Sequence, residues 1–131
     1  MERRVLVVDD NDDVRELLIH ILRAEGLSTF GAADAVSALA TLKSQQIDLI
    51  LLDVMMPGIS GIELLLKIRS TPSSYQDIPI AMITALSAQD EVAKAIDAGA
   101  TTYLVKPFRG SDIRNLLTRV FEGSNEKKER V

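Results

Sequence analysis

Five polar side chains of the kinds used in phosphoryl chemistry stand at the ends of short apolar runs. Asp9 and Asp10 follow one run, Asp53 ends another, and Thr84 and Lys106 end two later ones. Three carboxylates that share a cleft repel one another and need a cation, and a few hard oxygen ligands suit Mg²⁺. A hydroxyl and an ammonium group suit phosphoryl oxygens. If the fold brings them together, these residue types predict phosphoryl transfer at a magnesium site.

Residues 47–61, IDLILLDVMMPGISG, contain the stretch that must position the central carboxylate. Its apolar run is too short for a helix and is typical of a strand buried on both faces. The run ends at Asp53, after which Pro57 predicts a turn, and Ser60 and Glu63 have the spacing of a helix-capping box. Asp53 is therefore predicted at the carboxyl end of a parallel strand, which is the edge where open α/β sheets bind ligands.

The rest of the chain alternates between short apolar runs and helical stripes. Five such alternations predict an α/β fold, a doubly wound five-stranded parallel sheet with helices on both faces. In the flavodoxin-like strand order 2-1-3-4-5, the first and third strands are neighbours, so Asp9, Asp10 and Asp53 would converge. The predicted strands cover residues 5–8, 27–31, 47–53, 80–83 and 101–105.

Helix boundaries are predicted from capping residues and from apolar residues that share one face. Asp34 and Ser87 are the predicted caps of the second and fourth helices. The predicted buried faces include Leu17 on the first helix and Ile96 on the fourth, and the stripe of the fifth helix continues to Phe121.

Composition narrows the class of protein. The chain has 131 residues, which suits one domain, and 47% are hydrophobic. A net charge of −4 argues against a general nucleic-acid surface, and the lack of cysteine excludes disulfide and thiolate chemistry. The apolar runs are too short to span a membrane, and acidic residues soon follow the first of them, so we expect no signal peptide and a cytoplasmic protein.

Four motifs together resemble the receiver domain of bacterial two-component response regulators. They are VLVVDDN, LILLDVMMPGISG, IAMITA and YLVKPF, and with the fifth helix they suggest a receiver domain over residues 1–123 and a charged tail or linker over 124–131. The resemblance implies that Asp53 is the phosphate acceptor. It also implies Mg²⁺ as the cofactor, with Asp10 and Asp53 as direct ligands, Asp9 acting through water, and the Met55 backbone carbonyl completing the protein ligands.

The same resemblance assigns roles around the phosphoryl group. Thr84 and Lys106 would bind that group, and Tyr103 would follow Thr84 as the aromatic member of a switch pair. The peptide bond between Lys106 and Pro107 matches one that is cis in the family.

Access to the phosphoryl group depends on a second set of residues. Ala85 matches a position where a larger side chain would block that group, and Met55 and Leu86 match the positions that flank the path of attacking water. Both are apolar and cannot orient a water molecule, so slow self-dephosphorylation is expected. Met55 and Met56 are predicted to pack in the turn, because thioethers are soft and this metal site is hard.

The implied function is a phosphorylation-activated signalling switch rather than an enzyme. A sensor histidine kinase or a phosphotransfer protein would donate the group, and the chain would catalyse only its own phosphorylation and dephosphorylation. The surface of the fourth helix, fifth strand and fifth helix would then change and control an effector protein or domain. Neither direct nucleic-acid binding nor membrane contact by this domain is implied.

One departure from the family concerns self-association. Thr101 and Thr102 stand where receivers of the winged-helix transcription-factor subfamily usually carry an acidic pair used in dimer salt bridges. We therefore expect a monomer or a weak dimer. The chain fits a stand-alone regulator and an excised receiver equally well.

Two other families share parts of the pattern. Residues 10–14, DNDDV, match the D-x-D-x-[TV] motif of haloacid-dehalogenase-like phosphatases, but no suitable acidic pair follows Lys106 and Asp53 would have no role. A flavodoxin would share the topology, but the DDND segment would repel a flavin phosphate. His20 is predicted on the solvated side of the first helix and has no assigned role.

Overall fold

The computed structural model describes residues 2–85 and 89–122, and its elements follow the predicted alternation of strands and helices. Within these residues the strands are β1 Arg4–Val8, β2 Ser28–Ala32, β3 Leu49–Asp53, β4 Ile80–Ala85 and β5 Thr102–Lys106. The helices are α1 Asp12–Ala24, α2 Ala35–Ser44, α3 Gly61–Ser70, α4 Gln89–Asp97 and α5 Gly110–Leu117, and a π-helical turn, Thr118–Glu122, follows the last.

The strands form one parallel sheet in the order β2-β1-β3-β4-β5, which confirms the predicted topology. β1 pairs directly with β3, and Val8 lies opposite Leu52. All five residues of β3 are buried, as expected for a central strand covered by helices on both faces. This arrangement brings the carboxyl ends of β1 and β3 together at what we call the carboxyl edge of the sheet.

Two apolar layers flank the sheet, because alternate residues of each strand face opposite sides. On one face, Leu6 and Ile50 pack in a core that includes Leu64 and Leu65 of α3. On the other face, the core contains residues of β1 and β3 together with α1 and α5, namely Val5, Val7, Leu49, Leu51, Leu18, Leu22, Ile113 and Leu116.

Capping side chains start three helices at the carboxyl edge. The Asn11 side chain accepts a hydrogen bond from the Val14 N–H at 3.1 Å, and the Asp34 side chain accepts one from Ser37 at 2.8 Å. Ser60 accepts the N–H of Glu63 at 3.2 Å, so the predicted caps at Asp34 and Ser60 are both present. The predicted cap at Ser87 lies outside the described residues.

Several boundary and burial predictions were wrong in detail. Leu17 and Ile96 are 50% and 43% exposed, although both were predicted on buried faces. Each lies at the margin of its apolar stripe. Successive helix residues are rotated by about 100° about the axis, so a side chain at the margin can face solvent rather than the sheet. α5 ends at Leu117, earlier than predicted, and Phe121 lies in the π-helical turn, still packed against the core.

None of the helices in the described ranges combines the length and the apolar composition needed to cross a lipid bilayer.

Candidate functional site

Three carboxylates meet at the carboxyl edge. Asp9 and Asp10 follow the last residue of β1, and Asp53 is the last residue of the neighbouring β3. One oxygen from each carboxylate lies within 4.8 Å of the others, and we call this group the acidic cluster. Asp9 and Asp53 are buried, whereas Asp10 is exposed, so the cluster opens to solvent on one side.

Asp9 has one satisfied and one unsatisfied carboxylate oxygen. Its Oδ1 accepts the N–H of Asn11 at 2.9 Å. Its Oδ2 is buried and has no hydrogen-bond partner among the described residues. A buried carboxylate oxygen without a partner is costly, and a bound cation would remove that cost.

Lys106 brings a positive charge to the cluster. Its Nζ lies 3.7 Å from Asp53 Oδ2 and 3.8 Å from Asp9 Oδ2. These distances are ion-pair contacts rather than hydrogen bonds. In the β4–β5 register Lys106 lies opposite Ala85, which has a small side chain. The peptide bond between Lys106 and Pro107 is cis.

The surroundings of Asp53 oppose its ionisation. Burial, followed by the negative charge of Asp9, raises the pKa of Asp53 to about 6, although the Met55 N–H and the Lys106 charge favour the ionised form. The Met55 N–H donates to Asp53 Oδ1 at 3.1 Å. Because neutral pH lies above this pKa, Asp53 remains mainly a carboxylate there and can act as a nucleophile.

Thr84 and Tyr103 lie on neighbouring strands, Thr84 near the carboxyl edge and Tyr103 opposite Met82 in the β4–β5 register. Thr84 follows Ile83, the residue paired with Asp53, so it lies one step further toward the carboxyl edge. Thr84 is 2% exposed, and within the described residues its hydroxyl donates one long hydrogen bond, to the Ala85 carbonyl at 3.3 Å. Tyr103 is 44% exposed and lies at the surface of β5.

Gly61 holds the start of α3 against the phosphoacceptor candidate. A Cβ atom at Gly61 would lie 2.0 Å from the backbone oxygen of Asp53, so no larger residue fits without moving the backbone. Its N–H donates to the Val54 carbonyl at 3.0 Å. The sequence pattern does not reveal this contact, because a close approach between two backbones leaves no periodic signal.

The two methionines after Asp53 behave differently. Met56 is 9% exposed and packs in the core, as predicted. The prediction that Met55 packs in the turn was wrong, since its side chain is 70% exposed. The turn directs the Met55 N–H to Asp53 and leaves its side chain in solvent.

Arg15 contacts the site, although the sequence analysis gave it no role. Its Nη1 donates to the backbone oxygen of Asp9 at 2.8 Å, and its Nη2 pairs with Asp12. The side chain of Asp12 is 76% exposed and is not part of the acidic cluster. The spacing of Asp12 and Arg15, three residues apart on a helix, was the available signal.

Two remaining predictions concern residues away from the cluster. His20 is exposed on α1, as predicted. Leu86 lies outside the described residues, so the role of Met55 and Leu86 in limiting hydrolysis stays a prediction.

The acidic cluster fits a magnesium ion. Its three carboxylates are hard oxygen donors, and the exposed side at Asp10 leaves room for the water ligands that Mg²⁺ retains. The unsatisfied Asp9 Oδ2 is a further polar atom that such an ion, or its water, would satisfy.

Comparison with known proteins gives one consistent result. Residues 5–118 match the model of the response regulator receiver domain. The DNA-binding response regulator MtrA of Mycobacterium tuberculosis is 35% identical over 113 residues, which are 86% of this chain and 48% of MtrA. The chain therefore spans about half the length of the MtrA relatives it matches. The chemotaxis protein CheY-3 of Vibrio cholerae is 35% identical over 120 residues, which are 91% of this chain and 92% of that protein.

Solved structures agree with the sequence relatives. The chemotaxis response regulator CheY4 of Vibrio cholerae superposes with a TM-score of 0.85 at 34% identity, covering 92% of this chain and 100% of CheY4. The receiver domain of the sensor histidine kinase PA1611 from Pseudomonas aeruginosa has a TM-score of 0.82 at 28% identity, covering 92% and 98% of the two chains. That crystal structure has a magnesium ion coordinated in its active-site cleft.

Proposed function

The chain belongs to the response regulator receiver family, and on that premise we propose that Asp53 accepts a phosphoryl group from the phosphohistidine of a sensor histidine kinase or phosphotransfer protein. The observation that carries this proposal is the environment of Asp53. It lies buried at the end of the central strand, between the carboxylate of Asp9 and the ammonium group of Lys106. Receiver domains are signalling domains of two-component systems, so the output is phosphorylation-dependent signalling rather than turnover of a metabolite.

Mg²⁺ is the proposed cofactor, and the chain offers a specific set of ligands for it. Asp10 and Asp53 would bind directly, Asp9 through a water molecule, and the Met55 backbone carbonyl would complete the protein ligands. The grouping of the carboxylate oxygens within 4.8 Å supports this assignment. When bound, Mg²⁺ neutralises carboxylate charge and stabilises negative charge on the transferring group.

The transfer itself requires little from the protein beyond position and charge. An ionised oxygen of Asp53 attacks phosphorus, and a new O–P bond forms as the P–N bond to the donor histidine breaks. The bonding electron pair remains on the imidazole nitrogen. Lys106, now 3.7 Å from Asp53 Oδ2, would pair with a phosphoryl oxygen on the acyl phosphate.

Switching would follow from a change of partner by Thr84. Its hydroxyl donates a long hydrogen bond to the Ala85 carbonyl, and this bond costs little to exchange for a stronger one to a phosphoryl oxygen. Tyr103, exposed at the surface of β5, would then move into the space that Thr84 leaves. We propose that an effector protein or domain reads the resulting change in the surface formed by α4, β5 and α5.

The division of the chain follows the same proposal. The receiver domain would cover residues 1–123, which contain the matched segment 5–118, and residues 124–131 would serve as a tail or linker.

A phosphatase of the haloacid-dehalogenase type is less well supported. Such an enzyme would need Asp12 beside Asp10 in the site. Asp12 instead pairs with Arg15 and is largely exposed, while Asp53 joins Asp9 and Asp10 in the acidic cluster.

Phosphorylation by a small-molecule donor tests the proposal. The chain is incubated with acetyl phosphate and Mg²⁺, and its intact mass is measured. We expect one added phosphoryl group on the wild type and none on Asp53→Asn. Asp48→Asn is the matched control, because it removes a carboxylate at the other end of β3 and should leave labelling unchanged. Labelling of Asp53→Asn at the wild-type level would disprove the assignment.

A further inference from the structure

We propose that Arg15 is a positioning residue that holds the turn between β1 and α1 in the conformation that binds Mg²⁺. The proposal rests on the magnesium site proposed above and assigns a role to a residue outside the acidic cluster. Arg15 belongs to the first turns of α1, whereas the carboxylates that it would position lie in the preceding turn.

Arg15 acts on the backbone of Asp9 rather than on its carboxylate. Nη1 donates to the Asp9 carbonyl at 2.8 Å, while Nη2 is held by the carboxylate of Asp12. The planar guanidinium makes both contacts from one fixed fork, which a lysine ammonium group cannot reproduce. Asp9 Oδ2 receives no hydrogen bond from the described residues, and its charged contact is with Lys106 Nζ at 3.8 Å.

Two other hydrogen bonds of Asp9 also leave Oδ2 free of hydrogen bonds. Its N–H donates to the Ala32 carbonyl at 3.1 Å, and its Oδ1 accepts the Asn11 N–H at 2.9 Å. Together with Arg15, these bonds fix the backbone and one carboxylate oxygen. None of these hydrogen bonds uses Oδ2, so that oxygen can still accept a bond from a metal ion or its water.

Gly31 makes room for the Arg15 side chain. A Cβ atom at Gly31 would lie 3.3 Å from Arg15 Cδ and 3.0 Å from Ile19 Cδ1. The Arg15 side chain is only 18% exposed, so its stem is packed between α1 and β2. Gly31 directly precedes Ala32, the residue that holds the Asp9 N–H. Gly31 and Ala32 of β2 therefore serve both residues: Ala32 accepts the Asp9 N–H, and Gly31 leaves space for the Arg15 side chain.

The chain contains a matched control arginine on the same helix. Arg23 lies in the last turn of α1, and its Nε donates to the Thr29 hydroxyl on β2 at 2.8 Å. Thr29 is 8% exposed, so this contact also ties α1 to the sheet. It lies at the far end of the helix from the acidic cluster. Arg15→Met and Arg23→Met thus each remove an arginine hydrogen bond made by α1, one beside the metal ligands and one far from them.

The test is the Mg²⁺ dissociation constant of the full chain, measured by isothermal titration calorimetry after circular dichroism confirms folding. Arg15→Met should weaken Mg²⁺ binding by roughly tenfold, the low end of the loss seen when a residue supporting a metal ligand is removed. Arg15→Lys should be almost as weak because it keeps the charge but loses the fork. Gly31→Ala should also weaken binding although Arg15 is present. Arg23→Met should bind as the wild type does.

Each contrary result has a distinct meaning. Wild-type affinity in Arg15→Met would overturn this inference and leave the magnesium site intact. Wild-type Mg²⁺ affinity in Arg15→Lys would show that the charge of Arg15 alone matters. Equal weakening in Arg23→Met would show that any loosening of α1 lowers the affinity. Either result would also overturn the inference about Arg15. Failure of the wild type to bind Mg²⁺ would overturn the magnesium site itself, and this inference with it.

Discussion

One aspartate directly precedes β3 and another ends it, and the two carboxylates lie in opposite kinds of surroundings. Asp48, just before the strand, accepts the Arg4 N–H at 2.8 Å. Asp53, at the carboxyl edge, is buried beside Asp9 and has a pKa raised to about 6. The Asp48 carboxylate satisfies a backbone N–H, whereas the Asp53 carboxylate is repelled by the negative charge of Asp9.

Two threonines repeat this contrast at the two ends of the neighbouring strands. Thr101, at the amino edge, accepts the N–H of Ile80 at 3.1 Å and so caps the start of β4. Thr84, at the carboxyl edge, makes only a long hydrogen bond to the Ala85 carbonyl within the part of the chain that the structure describes. In each pair the residue at the amino edge completes a backbone hydrogen bond, whereas the residue at the carboxyl edge is only partly satisfied by the described residues. The proposed function uses the less satisfied member of each pair.

The largest effect is expected from neutralising the two aspartates of β3 in turn. In chelator at pH 7.5, Asp53→Asn should raise the free energy of unfolding by up to about 3 kcal/mol, which is the raised pKa expressed as energy. Asp48→Asn should change it little, because an amide oxygen can still accept the Arg4 N–H. Urea unfolding followed by circular dichroism measures both.

The sign of the pH dependence follows from the same shift. The folded chain holds the Asp53 proton up to about pH 6, and the unfolded chain releases it near pH 4, so ionised Asp53 destabilises the fold. The wild type should therefore lose stability between pH 4 and pH 6, and Asp53→Asn should lack this loss. Wild-type stability that is equal to or greater than that of Asp53→Asn at pH 7.5 would rule out stored repulsion at this edge.

A smaller effect is expected from the two threonines. Thr101→Val should lower the free energy of unfolding by about 1 kcal/mol, because the Ile80 N–H loses its acceptor. Thr84→Val should cost about 0.5 kcal/mol or less, since its hydroxyl makes only a weak bond and the strand accepts a β-branched residue. Equal losses in the two variants, measured by urea unfolding, would remove the distinction between the edges.

The sequence predicted the topology and the placement of the acidic cluster because both depend on periodic apolar runs and on the polar residues at the end of each run. Asp53 falls at its predicted strand end, and the order of the strands brings it to Asp9 and Asp10. The observed strand limits differ from the predicted ones by one or two residues, because a run of apolar residues does not show where strand pairing stops.

Contacts that depend on how a helix packs against the preceding strand could not be predicted in this way. The approach of Gly61 to the Asp53 backbone and the reach of Arg15 to the Asp9 carbonyl depend on how α3 and α1 pack against the sheet. Exposure at the margin of a helix, as at Leu17, depends on a rotation that the apolar stripe does not fix.

The most direct test of stored repulsion at the carboxyl edge is the free energy of unfolding of the wild type at pH 7.5, in chelator and in saturating Mg²⁺. A ligand that binds only the folded chain stabilises it, by about 2.7 kcal/mol when its concentration is a hundred times its dissociation constant. We predict a gain of this order for the wild type, the same gain for Asp48→Asn, and a much smaller gain for Asp53→Asn. Identical wild-type curves with and without Mg²⁺ would contradict the account.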